Sequence, residues 1–534
     1  MRKHHQKQIL ELLGIIRRAQ GRQKYAECQE GALFICDFIF DLVGDGSKTE
    51  QMIVDYCELL FRAHNGESLD ALLDERLSEV ESSVKSELKP TRMEMTFISH
   101  KAAQSDAIES IYLAAKNDPD VDAYWVPVPH IIHKPGKNPN QTILEGIGFY
   151  DEKFDMVNWE EYDIKTRRPD VVFTFCPYNK GSEIITIHPD FYPESLKKAT
   201  DMLVYSPYHV HNDIGATDEA TVKGYIDGVA TYFMNNHKNK QGYNLFATPG
   251  SVSADRVIVQ SKNLQEIFFR LNKKAHNKAK DYSIDKFVAL GSPKFDKVIT
   301  SKQENFSFPF DWISTMEGKK VFFYNSTIVG AGQAVNIKEY LGKLIDVIRV
   351  FANRNDAVLW WRPHPFVLST IKKTTPQLAY KFEDIIKAFK RSGMGIYDDT
   401  HDLHRAIART DAYYGDHSSV LYMYALTGKP ALIGKHNVLT VANDNPSESI
   451  EKAEFKEPDA QGLLMDYGFT NREGAAFDLN DFISFVCSEK NSPESIAARA
   501  MRFQKTYTPN GATAGQKIFE YAKSQIVQQW EDNQ

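Results

Sequence analysis

The chain is poor in several things that would narrow its reading at once. Its 534 residues include only five cysteines, Cys28, Cys36, Cys57, Cys176 and Cys487, odd in number and never spaced Cys-x-x-Cys. That excludes a thiolate zinc site and predicts free thiols in a reducing compartment. The longest apolar run, Val420 to Leu426, stops at Thr427, far short of the roughly 20 residues a membrane span needs. The amino terminus lacks the apolar core of a signal peptide, so a cytoplasmic protein is expected. An excess of positive charge is missing too: the net charge is -7, which removes a general nucleic-acid footprint and leaves any anionic ligand to a local pocket. Walker loops, the dinucleotide glycine fingerprint and short-period repeats are all missing. What remains, 42% apolar and 25% charged, is the mix of a soluble globular protein, long enough for two or three domains.

Residues 1–90 read as helices only. Ile9, Leu12, Leu13 and Ile16 repeat at helical spacing, as do Ile53, Tyr56, Cys57 and Leu60, the latter behind a Ser47/Glu50 capping box. The first helix is basic, with Arg2, Lys3, Lys7, Arg17, Arg18, Arg22 and Lys24 against Glu11. Such a helix either lies on an anionic membrane surface, giving peripheral contact through residues 1–24, or presents a solvated face of a bundle.

From Met93 strands and helices alternate. Met95–Ile98, Val121–Val128, Val171–Phe175, Met202–Tyr205, Val257–Gln260 and Phe287–Leu290 form one series, with a Pro, Gly and Asn-rich loop at His130–Gln141. A second series runs through Val321–Tyr324, Val358–Trp361, Gly395–Tyr397, Ala412–Tyr414 and Ala431–Gly434, with helices at Ile337–Phe351, Thr375–Lys390 and Leu403–Arg409. Alternation of this kind predicts an α/β chain with two Rossmann-like, doubly wound domains facing a cleft, at 91–301 and 302–510, behind the helical appendage. Helical sequence at 511–534 is expected to fold back across them.

Polar residues cluster at the second-series strand ends: Asn325-Ser326-Thr327, Arg362-Pro363-His364-Pro365, Asp398-Asp399 and Asp416-His417-Ser418-Ser419. Strand carboxyl ends of a parallel sheet share one edge, so these groups converge. Asp416 is expected to cap the apolar helix that follows, leaving Ser418 and Ser419 at a positive helix end suited to phosphate. Arg362 offers a planar fork for phosphate oxygens and His364 can move a proton near neutral pH. His417 points either to solvent or to the sheet. His209 and His211 follow Met202–Tyr205 of the first series, so a base from the opposite domain is plausible. No metal is expected, because pairs such as His4-His5 and His209-Val210-His211 have no third ligand at usable spacing.

Over about Asp255 to Lys435 the chain resembles the CDP-glycerol glycerophosphotransferase family, the teichoic acid primases and polymerases with a GT-B fold. Gly291-Ser292-Pro293-Lys294-Phe295-Asp296 resembles the family's Gly-Ser-Pro-Arg-x-Asp, Tyr324-Asn325-Ser326-Thr327 its Tyr-Ala-Pro-Thr, Arg362-Pro363-His364-Pro365 its Arg-x-His-Pro, and Gly415-Asp416-His417-Ser418-Ser419 its Thr-Asp-Tyr-Ser-Ser. The resemblance implies transfer of an alditol phosphate, glycerol phosphate foremost, from a CDP-alditol to a hydroxyl of a cell-surface polymer or lipid-linked acceptor, with release of CMP and no required cofactor. It implies catalytic roles for His364 and His209, and donor or phosphate contacts from Arg362, Asp416, His417, Ser418, Ser419, Ser326, Thr327, Ser292 and Lys294. The family's first-domain Trp-His-Gly is replaced by Tyr205-Ser206-Pro207-Tyr208-His209-Val210-His211, so either His209 or His211 stands for that base, or the acceptor chemistry has changed. Two other readings stay open: a GT-B glycosyltransferase using a nucleotide sugar, and a non-catalytic relative acting in polymer assembly.

Overall fold

The computed structural model describes residues 1–133, 140–145, 148–150, 152–182, 185–211, 223, 246–275, 283–326, 337–365, 367–416, 418–433, 479–488, 491–507 and 513–532. The helices Lys3–Gln20, Tyr25–Val43, Lys48–His64 and Asp70–Ser86 form a bundle with its own core of Ile9, Leu13, Ile35, Ile53, Leu60, Leu77 and Val80. The expected cap is present: Ser47 Oγ accepts from Glu50 N at 3.0 Å.

Two parallel sheets follow. The first holds β1 (Met93–Ser99), β2 (Val121–Pro127), β5 (Val171–Thr174), β7 (Met202–Tyr205), β8 (Arg256–Val259) and β9 (Phe287–Ala289) in the order β2-β1-β5-β7-β8-β9. Every residue of β1, β5 and β7 is buried, as strands covered on both faces by helices must be. The second holds β10 (Lys320–Ser326), β11 (Ala357–Pro363), β12 (Gly395–Tyr397), β13 (Ala412–Gly415) and β14 (Ala431–Ile433), in the order β12-β11-β10-β13-β14. All neighbours in both sheets are parallel, so the doubly wound α/β fold with its helical appendage is present.

Some details differ from the sequence reading. The stretch taken as loop supplies β3 (His130–Ile132) and β4 (Gln141–Ile143), which pair antiparallel and join β6 (Ile185–Ile187) in a small separate sheet; a segment of three residues is too short for periodicity to reveal. The helix expected from Thr375 opens as a 3-10 turn at Pro376–Leu378 and becomes α-helical only over Ala379–Ser392, because proline disfavours helical geometry in the residue before it.

The bundle sits at the amino edge of the first sheet. Arg2 Nη1 donates to Glu94 Oε2 at 2.8 Å and its Nε lies 3.5 Å from Asp170 Oδ2. Burial holds the Asp170 carboxyl up at about 6, against the pull of Arg2. This corrects part of the basic-face expectation, since Arg2 is 7% exposed and Arg17 is paired with Glu81 on the fourth helix at 3.0 Å. Arg2 and Arg17 thus serve internal contacts, whereas Lys7, Arg18, Arg22 and Lys24 stay exposed. Among the described residues, no helix is long and apolar enough to cross a membrane.

The last helix, Ala514–Glu531, packs on the first sheet's domain, where Ile518, Phe519, Ala522 and Ile526 join the core of Met95, Phe97 and Ile111. Its start is held by Asp296, which accepts from Ala514 N at 2.9 Å, Gly515 N at 2.8 Å and Ser110 Oγ at 2.7 Å.

Candidate functional site

In the second sheet the chain leaves β10 to one side through β11 and β12, then returns to the other side as β13. That reversal opens a crevice between the carboxyl ends of β10 and β13, the place where open α/β sheets take ligands. Asn325 and Ser326 end β10 and Gly415 ends β13 at this point. Asn325 Nδ2 donates to Arg362 O at 3.3 Å, and its Oδ1 accepts from Ser418 Oγ at 3.2 Å. The strands approach so closely that a Cβ on Gly415 would lie 2.3 Å from Asn325 O.

Ser418 is the helix cap: its Oγ accepts from Val420 N at 3.2 Å at the start of Ser419–Ala425. The expectation that Asp416 caps this helix is therefore corrected. Asp416 pairs with Lys343 Nζ at 2.8 Å, the two side chains 12% and 8% exposed, because the helix Ile337–Ala352 brings a full charge to the carboxylate. Ser418 immediately precedes the first helical residue, where a side-chain oxygen reaches the free amides. Ser326 Oγ bonds Tyr340 OH at 3.0 Å on that same helix.

His364 lies in the turn that leaves β11, its main-chain N bonded to Ser326 O at 2.9 Å. The residue is exposed, and its pKa is lowered by the surrounding protein and then by the charge of Lys101 from the first domain. Neutral imidazole, able to accept or share a proton near pH 7, follows. Arg362 points to the side. Its Nη1 lies 2.9 Å from Asp398 Oδ2, and Nη2 donates to Thr400 O at 2.6 Å. Asp398 is fully buried and also accepts from Trp360 Nε1 at 3.1 Å, so this arginine braces the β11 and β12 ends beside His364. His417 and Thr327, both expected here, lie outside the described residues.

The first domain closes the cleft from the other side. Val210 is buried in the core of the second domain, among Leu421, Tyr422 and Phe295, and Ser419 Oγ donates to Val210 O at 3.0 Å. The loop Ser206–His211 is thereby clamped under the second domain, which sets His209 next to the Ser419 helix start. Burial, helped by His211 and Lys294, pulls His209 down to about 3. His211 is pulled to about 3 by burial; its ring lies between Phe246 and Phe268, at 4.4 and 5.0 Å, with Nε2 unbonded. Both rings are neutral, and with Gln260, Ser292 and Pro293 they line a small cavity beneath the cleft.

Ser292 and Lys294 stand at the junction of the domains. Ser292 is 6% exposed and precedes the helix Pro293–Thr300. Lys294 Nζ is ion-paired with Asp106 of the first domain, and His404 Nε2 of the second lies 2.7 Å from the other Asp106 oxygen. Burial would raise the Asp106 pKa, but Lys294 and His404 together hold it well below the usual carboxylate range. Lys294 therefore meets a carboxylate, not the open cleft. Sequence reasoning missed Lys343, Asp106, His404 and Lys101. Of these only Lys101 had a local signal, its place in the polar turn directly after β1; the others sit on helices, where nothing nearby in sequence marks them.

The site and fold define an α/β protein with a polar crevice at a sheet switch point. Residues 235–438 match the family described as CDP-Glycerol:Poly(glycerophosphate) glycerophosphotransferase. All four short motifs lie inside that span. A teichoic acid poly(ribitol-phosphate) polymerase of Bacillus spizizenii is 23% identical over 304 residues, 54% of this chain and 41% of that protein; the match thus spans about two fifths of the relative's length. A variant of the wall teichoic acid polymerase TagF aligns over 91% of this chain and 99% of its own at 13% identity, TM-score 0.45. A UDP-N-acetylglucosamine 2-epimerase aligns over 82% and 94% at 12% identity, TM-score 0.38.

Proposed function

We propose that the chain transfers an alditol phosphate, glycerol phosphate foremost, from a CDP-alditol to a hydroxyl of a cell-surface polymer or lipid-linked acceptor. The acceptor oxygen bonds to the β-phosphorus, the bond from that phosphorus to the bridging oxygen breaks, and CMP leaves with the electron pair. The observation that carries this reading is the convergence of Asn325, Ser326, His364 and Ser418 on the crevice between β10 and β13, with Lys101 of the other domain close enough to act on His364.

In this reading the donor diphosphate occupies the crevice, near the Ser326 and Ser418 hydroxyls. His364 meets the phosphate and stabilises charge on the departing CMP, while Lys101 adds positive potential from across the cleft. In this scheme His209, on the loop held against Ser419, takes the acceptor proton. Arg362 holds the His364 turn through Asp398 and Thr400, and the Lys343–Asp416 pair fixes the loop ahead of Ser418. No step needs a metal or cofactor in this scheme. The place of action is the cytoplasmic side of the cell membrane.

The test is nucleotide release with a polyol-phosphate acceptor, CMP from CDP-glycerol or CDP-ribitol and UDP from a UDP-sugar, wild type beside His364→Ala. Turnover of one CDP-alditol, lowered at least ~100-fold in the variant, is expected. Turnover of the UDP-sugar alone would replace the reading with a glycosyltransferase, and tight CDP binding without turnover of any donor would replace it with a non-catalytic one.

A further inference from the structure

The bundle keeps a groove that the other described residues leave uncovered. Helix Tyr25–Val43 returns through a short link as Lys48–His64, so the two run antiparallel. Their register is fixed by two contacts on one flank, Gln29 Nε2 to Cys57 O at 3.4 Å and Cys36 Sγ to Glu50 O at 3.9 Å. Ala32, Ile35 and Ile39 turn inward against Ile53, Tyr56 and Leu60. One helical step outward on that same flank stand Leu33 and Phe40 of the first helix, and Val54 and Phe61 of the second. Each pair is separated by two turns, so each forms a ridge along its helix. These four side chains are 49, 52, 46 and 51% exposed.

Charge decides what such a groove can take. Helix Tyr25–Val43 carries Glu27, Glu30, Asp37 and Asp41 and no Lys or Arg; the outer face of its neighbour adds Asp55 and Glu58, with Arg62 there taken up by Glu67. Glu30, Asp37 and Asp55 form no ion pair among the described residues. A surface with large exposed apolar side chains inside an acidic rim repels an anionic bilayer and attracts a cation-bearing apolar ridge. We propose that this groove docks a basic amphipathic helix of a partner protein, its apolar stripe between Leu33, Phe40, Val54 and Phe61 and its lysines or arginines against Asp37 and Glu58. The groove lies on the bundle at the amino edge of the first sheet, away from the cleft at the carboxyl edges, so docking leaves the transfer site open.

The probe is an 18-residue helical peptide of leucine and lysine at amphipathic spacing, titrated by fluorescence anisotropy into the full chain. Binding is expected to weaken at least tenfold in Phe40→Ser, Phe61→Ser and Asp37→Lys, to fall with added salt, and to be missing for the same peptide with glutamate in place of lysine. CMP release, or CDP binding if no donor is turned over, is expected to stay unchanged in the three variants. Equal binding of the lysine peptide to wild type and variants overturns the proposal. So does a Phe40- and Phe61-dependent dimer in sedimentation, or Phe40- and Phe61-dependent flotation with phosphatidylglycerol vesicles, which would assign the groove to a second copy or to a membrane.

Discussion

His404 Nε2 stands 2.7 Å from Asp106 Oδ2 across 298 residues of sequence, while the other Asp106 oxygen holds Lys294. One buried carboxylate thus ties the first domain to the junction helix and to the second domain at once. Removing it leaves a buried lysine without its counter-charge, which typically costs about 3–5 kcal/mol. Asp106→Asn should lower the urea midpoint sharply at pH 7. The carboxyl is held below its unfolded value of about 3.9, so its stabilising contribution is complete above that pH and drains away as pH falls toward the folded value. The difference between wild type and Asp106→Asn should narrow at pH 3; a difference of constant size from pH 7 to pH 3 would contradict the pairing.

Three histidines work in the opposite pH range. His100, His209 and His211 are each pulled to about 3, chiefly by burial, whereas an unfolded histidine titrates near 6.5. Below that value the unfolded chain binds more protons than the folded one, so stability should fall as pH drops through the window between about 6.5 and 3. Each such histidine contributes a slope of up to about 1.4 kcal/mol per pH unit. His211, unbonded at Nε2 and packed between two phenylalanines, should accept His211→Phe with little loss at pH 7. The variant should show a shallower slope between pH 6 and pH 4.5 in denaturant titrations, and an unaltered slope would show that the ring charges freely in the fold.

The same two residues separate the candidate bases. His209 follows Tyr208 in the loop clamped under the second domain, whereas His211 is sealed between Phe246 and Phe268. If His209 takes the acceptor proton, His209→Ala should cut CMP release by about 10²–10⁴-fold, with CDP affinity retained, and His211→Phe should leave it within a few-fold. Reversal of that order would transfer the role to His211.

Gly415 has no room for a side chain, since a Cβ would lie 2.3 Å from Asn325 O and 2.9 Å from the Tyr413 hydroxyl. Gly415→Ala should push β13 away from β10, lowering the melting temperature by several degrees and weakening CDP binding in calorimetry. Gly342→Ala, on a helix with open space around the added carbon, should leave CDP binding unchanged and serves as the control. Equal CDP affinity in both would mean that the strand spacing does not shape the crevice.

The strands themselves were legible because apolar runs such as Met202–Tyr205 and Ala412–Tyr414, bounded by Gly, Ser and Asp, allow few other readings. From strand order followed the shared edge, and so the meeting of Asn325, Ser326, His364 and Ser418. Cap chemistry was only half legible: Ser47 and Glu50 carry a local pattern, whereas Asp416 and Ser418 both satisfy the local rule. The choice between them fell to Lys343, a residue with no sequence signal.

Periodicity, composition and short motifs alone determined the α/β class, the helical appendage and the family resemblance, because each depends on interactions within a few residues or on the alternation of elements. Only the tertiary structure decided that Arg362 braces Asp398, that Lys294 spans to Asp106, that Asp296 seats the last helix, and that Leu33, Phe40, Val54 and Phe61 line an open groove. Those outcomes depend on which charges and surfaces are brought together across tens to hundreds of residues. A buried ion takes the nearest full counter-charge in space, wherever that lies in the chain.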